Sequence, residues 1–456
     1  MKRYIIGIAI ALVACKKSDS TTDKKTNGEG NNNTIPENTI VFDAAATAEE
    51  KRGKTGFLSS ITLEAPHNDL ILPLKPYIWR VGRANNENFD LYPRLKSLNV
   101  EKQLLIVSDF RNILPTSTIF KQYGYGALTD TLASRAQKKQ YTYEWDLFNE
   151  PNDSLKKDLN EFMLKYWNPA YHAVKAKFPD AIIHGPSITI NNSGDAKADS
   201  ALIYKFIDAA IAHNTLPDYI NWHFQIGYNI SDWHGNYAKS IKQYLAQKGK
   251  TVKGFVAGET VRPGDERNTS PAVLVDVFAA QEIHNITQIH AAWTSVPVYG
   301  VATSTLPVLG GLLADTKGKD TRGAWWTYEF YARTKGKRMI CKNGESGNKG
   351  LVGLGFRDDT NNKISIMLGV RDPLGAQNNQ ILRVTNINQL KNLSSNGKVK
   401  IKVWYNKQTK DAVTAYGAKN LELIKDYNIE VADNQINIPF NLLKWDALLI
   451  EITKPE

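Results

Sequence analysis

From about residue 56 to residue 333, short apolar runs alternate with longer stretches of helical periodicity. The runs are 56–61, 77–81, 103–108, 143–148, 181–185, 219–224, 254–258 and 289–293. Between the fourth and fifth, Leu155, Leu159, Phe162, Met163, Tyr166 and Ala170 recur at helical spacing, which predicts a helix over 154–178. Residues 201–213 and 237–249 carry the same pattern. Near-continuous apolar strands that alternate with helices predict a parallel sheet covered by helices. Eight strand–helix units in about 280 residues match a (β/α)8 TIM barrel. A doubly wound open sheet is the competing arrangement, but no Gly-rich phosphate turn follows the first strand.

Beyond Thr334 the texture changes. Runs at 351–356, 364–370, 380–387, 399–405, 428–438 and 447–453 are short and alternating, with polar turns such as Asp358-Asp359-Thr360-Asn361-Asn362 between them. Val399-Lys400-Ile401-Lys402-Val403 is apolar on one face and basic on the other. This predicts an antiparallel β-sandwich over 335–456, which a strand near 39–42 can join. The barrel is assigned to 39–334, and no internal repeat is visible.

The first 15 residues, MKRYIIGIAIALVAC, have a basic start at Lys2 and Arg3 and an apolar stretch from Ile5 to Ala14. That stretch is about half of the roughly 20 residues needed to span a bilayer. Its end, Leu12-Val13-Ala14-Cys15, resembles a bacterial lipoprotein box, which implies a lipidated Cys15 after removal of the signal peptide. Residues 16–38 are polar, rich in Gly, Asn and Thr, and unable to bury a core, so they read as a flexible tether. The expected location is outside the cytoplasm, anchored to the bacterial cell envelope by this lipid alone. Cys341 is the only other cysteine, so an exported chain would carry no internal disulfide and no Cys-based metal site.

The 57 Lys and Arg against 46 Asp and Glu give a net charge of +11. The excess is local: residues 335–456 hold 19 basic and 12 acidic side chains, while the tether's charges cancel. No basic helix, RNA-type aromatic motif or zinc pattern accompanies the charge, so a nucleic-acid partner is not expected. Docking of the terminal module to a sulfated or uronate polymer stays open on charge alone. Oligomeric state is not legible.

Chemistry concentrates at two strand ends. The fourth run closes as Asp146-Leu147-Phe148-Asn149-Glu150-Pro151, and Pro151 cannot extend the ladder. In a barrel, functional side chains sit at the C-terminal strand ends. Glu150 falls there, and the Asn149 amide beside it suits a sugar hydroxyl. A second carboxylate, Glu259, ends the seventh run, Gly254-Phe255-Val256-Ala257-Gly258-Glu259. Asp265 and Glu266 follow in a polar loop and read as solvated. Two strand-end carboxylates across one barrel mouth suit glycosidic bond cleavage, one protonating the leaving oxygen and the other attacking the anomeric carbon.

With Asn149-Glu150 on the fourth strand and Glu259 on the seventh, the chain resembles the clan A glycoside hydrolases. Gly56-Phe57-Leu58, Tyr77-Ile78-Trp79-Arg80 and the trailing β-module make it most similar to glycoside hydrolase family 39. The resemblance implies a retaining mechanism with Glu150 as acid/base and Glu259 as nucleophile. It also implies substrate-site roles for Arg80, His223, Tyr228 and Trp293, with Arg80 keeping the nucleophile ionised. Glu150 is then expected to hold its proton through a raised pKa. No metal or organic cofactor is expected, and the substrate is a carbohydrate of unspecified linkage. A carbohydrate-binding surface lipoprotein on a decayed hydrolase barrel is the alternative reading.

Overall fold

The structure is a computed structural model that describes residues 35–81, 89–107, 117–190, 196–224, 229–260, 270–291, 308–314, 320–343, 350–370, 375–409, 414–415 and 422–456. The signal, Cys15 and most of the tether lie outside them. Among the described residues, no helix is long and apolar enough to cross a membrane.

All eight predicted runs become strands of a closed parallel barrel. In order they are β2 (Thr55–Leu58), β3 (Ile78–Val81), β4 (Lys102–Ile106), β5 (Glu144–Asp146), β6 (Ile183–Thr189), β7 (Tyr219–Phe224), β8 (Gly254–Thr260) and β9 (Ile286–Ala291). The last pairs in parallel with β2. Alternation sorts their side chains: Leu58, Ile78, Leu104, Ile106, Val256 and Ile289 fill the barrel's inside. Phe57, Trp79, Leu105, Trp145 and Trp222 point outward into the layer shared with the helices.

The helix predicted over 154–178 is broken into Asn152–Lys157, Leu159–Phe162, a π-turn at Met163–Trp167, and Asn168–Lys177. Asp158 causes the first break. Its backbone is extended, and its carboxylate caps the next turn by accepting from the Glu161 amide at 2.9 Å.

The second sheet has nine strands: β1 (Thr39–Glu50), β11 (Lys337–Cys341), β12 (Leu351–Asp358), β13 (Lys363–Val370), β14 (Gln377–Thr385), β15 (Lys398–Asn406), β17 (Glu422–Glu430), β18 (Gln435–Leu442) and β19 (Ala447–Thr453). A small ribbon of β10 (Asp320–Thr321) and β16 (Thr414–Ala415) stands apart from it. The nine run in the order β17-β15-β19-β13-β12-β11-β1-β14-β18 and pair antiparallel except for β1 with β14. Lys425 Nζ on one edge strand donates to the Pro439 carbonyl on the other at 2.8 Å, so the sheet nearly closes into a sandwich. Residues 39–50 thus belong to this sheet and not to the start of the barrel. The run predicted over 428–438 is two strands, because Asp433 and Asn434 take left-handed backbone angles and turn the chain. Lys337–Cys341 was not predicted as a strand.

Two-sided burial explains why the central strands read as continuous apolar runs. Leu448, Ile450 and Ile452 face the module's own core, whereas Ala447 and Leu449 join the barrel's helical layer. Helix Pro271–His284 lies between the two and is buried over most of its circumference. It approaches β13 so closely that a Cβ on Gly369 would stand 2.8 Å from the Ala272 Cα. Two lysines of the basic stripe of β15 have acidic partners: Lys398 reaches Glu430 at 3.8 Å, and Lys400 reaches Asp426 at 3.4 Å and Glu456 at 3.2 Å.

Candidate active site

The pleat delivers each polar group to the barrel mouth. Ile78 points inward, so Arg80, two residues on, does as well, and it is fully buried. Trp145 points outward, so Glu144 and Asp146 point in. Glu144 lies low in the barrel, against His184 Nε2 at 2.8 Å and Lys102 at 3.3 Å. Past β5 the chain is pinned from outside: Tyr125 stacks on Phe148 with centroids 4.5 Å apart, and its hydroxyl donates to the Leu147 carbonyl at 2.6 Å.

Glu150 then takes a left-handed backbone angle, φ 52°, with its amide donating to the Ser187 carbonyl at 3.0 Å. A non-glycine residue held there stores about 1–3 kcal/mol of strain, so the surroundings must enforce it. Asn152 helps by donating to the Thr189 carbonyl at 2.7 Å and accepting from the Thr189 amide at 2.9 Å.

Glu259 is aimed by an irregularity. Trp222 pairs with Ala257 and His223 with Glu259, so β8 carries one extra residue, Gly258, against β7. Strict alternation from the inward Val256 would turn Glu259 outward; the extra residue turns it in. Gly258 has no room for a side chain, since a Cβ would fall 2.3 Å from Asn221 Oδ1.

Arg80 ties the acids together. Its Nε and Nη2 reach Asp146 Oδ2 at 2.8 and 2.7 Å, its Nη1 reaches Glu259 Oε1 at 3.0 Å, and its Nη2 also reaches Asn149 Oδ1 at 3.0 Å. Asp146 further accepts from Ser187 Oγ at 2.5 Å and from Asn221 Nδ2 at 3.1 Å. His223 Nδ1 stands between the two glutamates, 3.1 Å from Glu150 Oε1 and 3.6 Å from Glu259 Oε1. One oxygen of each glutamate and a nitrogen of His223 all lie within 4.8 Å of one another. Glu259 is 5% exposed at its side chain and Glu150 24%, so Glu259 is the deeper of the two.

Five predicted residues, Arg80, Asn149, Glu150, His223 and Glu259, thus converge on one centre. Tyr228, Trp293, Asp265 and Glu266 lie outside the described residues. Asp146, which precedes the acid on the same strand, reads from sequence as structural, and Ser187 and Asn221 were not singled out. Asp146 shares its strand face with Glu144, and Asn221 shares His223's, so period-two spacing was the signal for both.

The expectation of a raised Glu150 pKa is not met. Burial pushes it up, but the hydrogen bond from His223, the charge on that ring and the Arg80 charge outweigh this, bringing it down to about 2. The sign follows directly. The unfolded carboxyl titrates near 4.5, so between pH 4.5 and 2 the unfolded chain binds the extra proton, and stability falls as pH falls through that window. One group contributes at most about 1.4 kcal/mol per pH unit. Urea denaturation from pH 5 to pH 2 should therefore show the stability gap between wild type and Glu150→Gln shrinking toward acid. Parallel profiles would refute the depressed pKa.

No protein-family profile matches the chain. Among solved structures, it is similar to N2152 from Neocallimastix frontalis, with a TM-score of 0.70 at 18% identity, covering 91% of this chain and 99% of that one. A monomeric β-xylosidase from Caulobacter crescentus CB15 aligns with a TM-score of 0.60 at 13% identity over 92% and 100% of the two chains. A GH39 enzyme from Xanthomonas axonopodis pv. citri gives 0.57 at 15% identity over 91% and 97%. These likenesses establish the fold: a TIM barrel with a C-terminal β-sandwich, as in the GH39 enzymes of clan A. A curated relative, the 3-O-α-D-galactosyl-α-L-arabinofuranosidase of Bifidobacterium longum subsp. longum, is 22% identical over 253 residues, 49% of this chain. The match spans only 20% of that longer protein.

Proposed function

We propose that the chain is a retaining glycoside hydrolase, with Glu259 as nucleophile and Glu150 as acid/base. The observation that carries this is the pair of carboxylates from the fourth and seventh barrel strands, with oxygens within 4.8 Å of each other. Retention uses carboxyl groups about 5–5.5 Å apart, whereas inversion needs about 6.5–9.5 Å to admit a water between acid and base. The glycosidase relatives support the reaction class. They also make pentosides the first substrates to test, since the named proteins are a β-xylosidase and an arabinofuranosidase.

In the first step, a Glu259 oxygen attacks the anomeric carbon while the leaving oxygen receives a proton. With Glu150 ionised in the resting site, the Glu150–His223 pair holds that proton between Oε1 and Nδ1, and Glu150 is the member that reaches the leaving oxygen. In the second step, Glu150 takes a proton from water, which displaces Glu259 and restores the original anomeric configuration. Arg80 lies beneath both acids and is fully buried, so it acts on Glu259 and Asn149, not on the sugar. Asn149 keeps its amide nitrogen for a hydroxyl. Tyr228 and Trp293 complete the proposed sugar site.

The test is Glu150→Gln. On a glycoside with a poor leaving group, kcat/KM should fall about 10²- to 10⁴-fold, the usual contribution of general acid–base catalysis. An activated aryl glycoside should lose far less in the first step. Unchanged turnover of the poor leaving group would sink the assignment. A wild-type chain that binds glycans but hydrolyses none would instead mark a binding protein on a decayed barrel.

Residues 1–15 and 16–38 are proposed as a lipoprotein signal and a tether, with lipidated Cys15 holding the enzyme on the cell envelope.

A further inference from the structure

The same centre has the donor set of a transition-metal site. Linear spacing does not reveal it, because Glu150 follows β5 while His223 and Glu259 lie on β7 and β8, and the three meet only when the barrel closes. His223 Nδ1 faces Glu150 Oε1 at 3.1 Å and Glu259 Oε1 at 3.6 Å, and the donors of all three lie within 4.8 Å of one another. A tetrahedral metal with bonds of about 2.0–2.2 Å sets its donors about 3.3–3.6 Å apart. His223 Nδ1 stands at about that separation from each carboxylate oxygen, 3.1 and 3.6 Å. The remaining position faces the mouth, where Glu150 is partly exposed.

Charge points the same way. Asp146 and Glu259 share the Arg80 guanidinium, and Glu150, which pairs with His223, is a third carboxylate beside them. Three carboxylates against one guanidinium leave negative charge in excess, which a divalent cation offsets. Imidazole with carboxylate selects Zn²⁺ and its first-row neighbours over Mg²⁺, which prefers oxygen donors alone.

We propose that Glu150, His223 and Glu259 bind a divalent first-row transition metal such as Zn²⁺, and that this metal and the substrate exclude one another. The metal occupies the acid/base and the nucleophile together, so binding shuts the site. Binding stands independently of the hydrolase reading; the inhibition rests on it.

Titrating the full chain with ZnCl2 by calorimetry tests the proposal. One ion per chain is expected, with affinity reduced at least tenfold in both His223→Ala and Glu150→Gln. The His67→Ala protein, which alters an exposed His–Asp pair far along the sequence, serves as control and should bind like wild type. In turnover assays Zn²⁺ should raise KM without lowering kcat, and EDTA should reverse the effect. Should His223→Ala fail to fold, Glu150→Gln keeps the side-chain shape and carries the comparison. Absence of binding at millimolar Zn²⁺, wild-type affinity in both site variants, or equal competition by MgCl2 would each overturn the metal site. Loss of turnover in Glu150→Gln without Zn²⁺ binding in wild type would sink this proposal and leave the hydrolase intact. Zinc binding by a chain that hydrolyses no glycan would do the reverse.

Discussion

Replacing Glu259 by alanine should abolish turnover of unactivated glycosides, by roughly 10⁴- to 10⁶-fold, the range seen when one member of a covalent catalytic unit is removed. The reason is positional. Glu259 is the deeper carboxylate, held by Arg80 at 3.0 Å and aimed inward by the extra residue in β8. No other described carboxylate shares that approach: Asp146 is fully buried and its oxygens already serve Arg80, Ser187 and Asn221. The space left by truncation admits a small anion. Sodium azide should therefore restore turnover of an activated substrate, and the glycosyl azide should have the inverted configuration, because azide attacks once from the face that Glu259 vacated. Product stereochemistry by NMR decides the matter. Azide rescue with retained configuration would assign the nucleophile elsewhere, and residual activity within tenfold of wild type would remove Glu259 from the mechanism.

The barrel was legible in the chain because burial on both faces of a parallel strand leaves an uninterrupted apolar run, and eight such runs alternate with helices. The second sheet was legible in β15, next to one edge, where Val399, Ile401 and Val403 alternate with lysines, since only one face there is buried. Sequence reasoning failed where geometry breaks periodicity. Val431 and Ala432 carry the apolar pattern through a turn, so two strands read as one. At the site, Glu259's position at a strand end was visible, but its direction was not: alternation alone sends it outward, and Gly258 corrects this by adding a residue to one strand. The state of Glu150 was misjudged for a related reason. Burial was foreseeable from its strand-end place, while the facing His223 lies 73 residues away and its contact appears only in the closed barrel. Asp146 reads from sequence as structural and touches other side chains of the protein, Arg80, Ser187 and Asn221, while Ser187 and Asn221 were overlooked because such groups leave no motif of their own.

That buried network should be the most fragile part of the fold. Arg80→Met conserves most of the volume but leaves Asp146 and Glu259 facing each other without a cation, and removing one partner of a buried ion pair costs about 3–5 kcal/mol. Urea denaturation should register a loss of that size. Arg80→Lys should recover only part of it, because a single ammonium cannot span Asp146, Glu259 and Asn149 as the planar guanidinium does. Adding Asp146→Asn to Arg80→Met should return some stability by removing one stranded charge, a coupling that independent sites would not display. A loss below 1 kcal/mol would refute the network. The kinetics separate two roles that the sequence left joined. If Arg80 acts by holding Glu259 and Asn149, the surviving folded Arg80→Met enzyme should lose kcat while a ground-state ligand binds much as before. If it touched the sugar directly, affinity would fall in proportion. Its complete burial behind both acids favours the first outcome, which makes Arg80 a positioning residue whose effect reaches the substrate only through the nucleophile it holds.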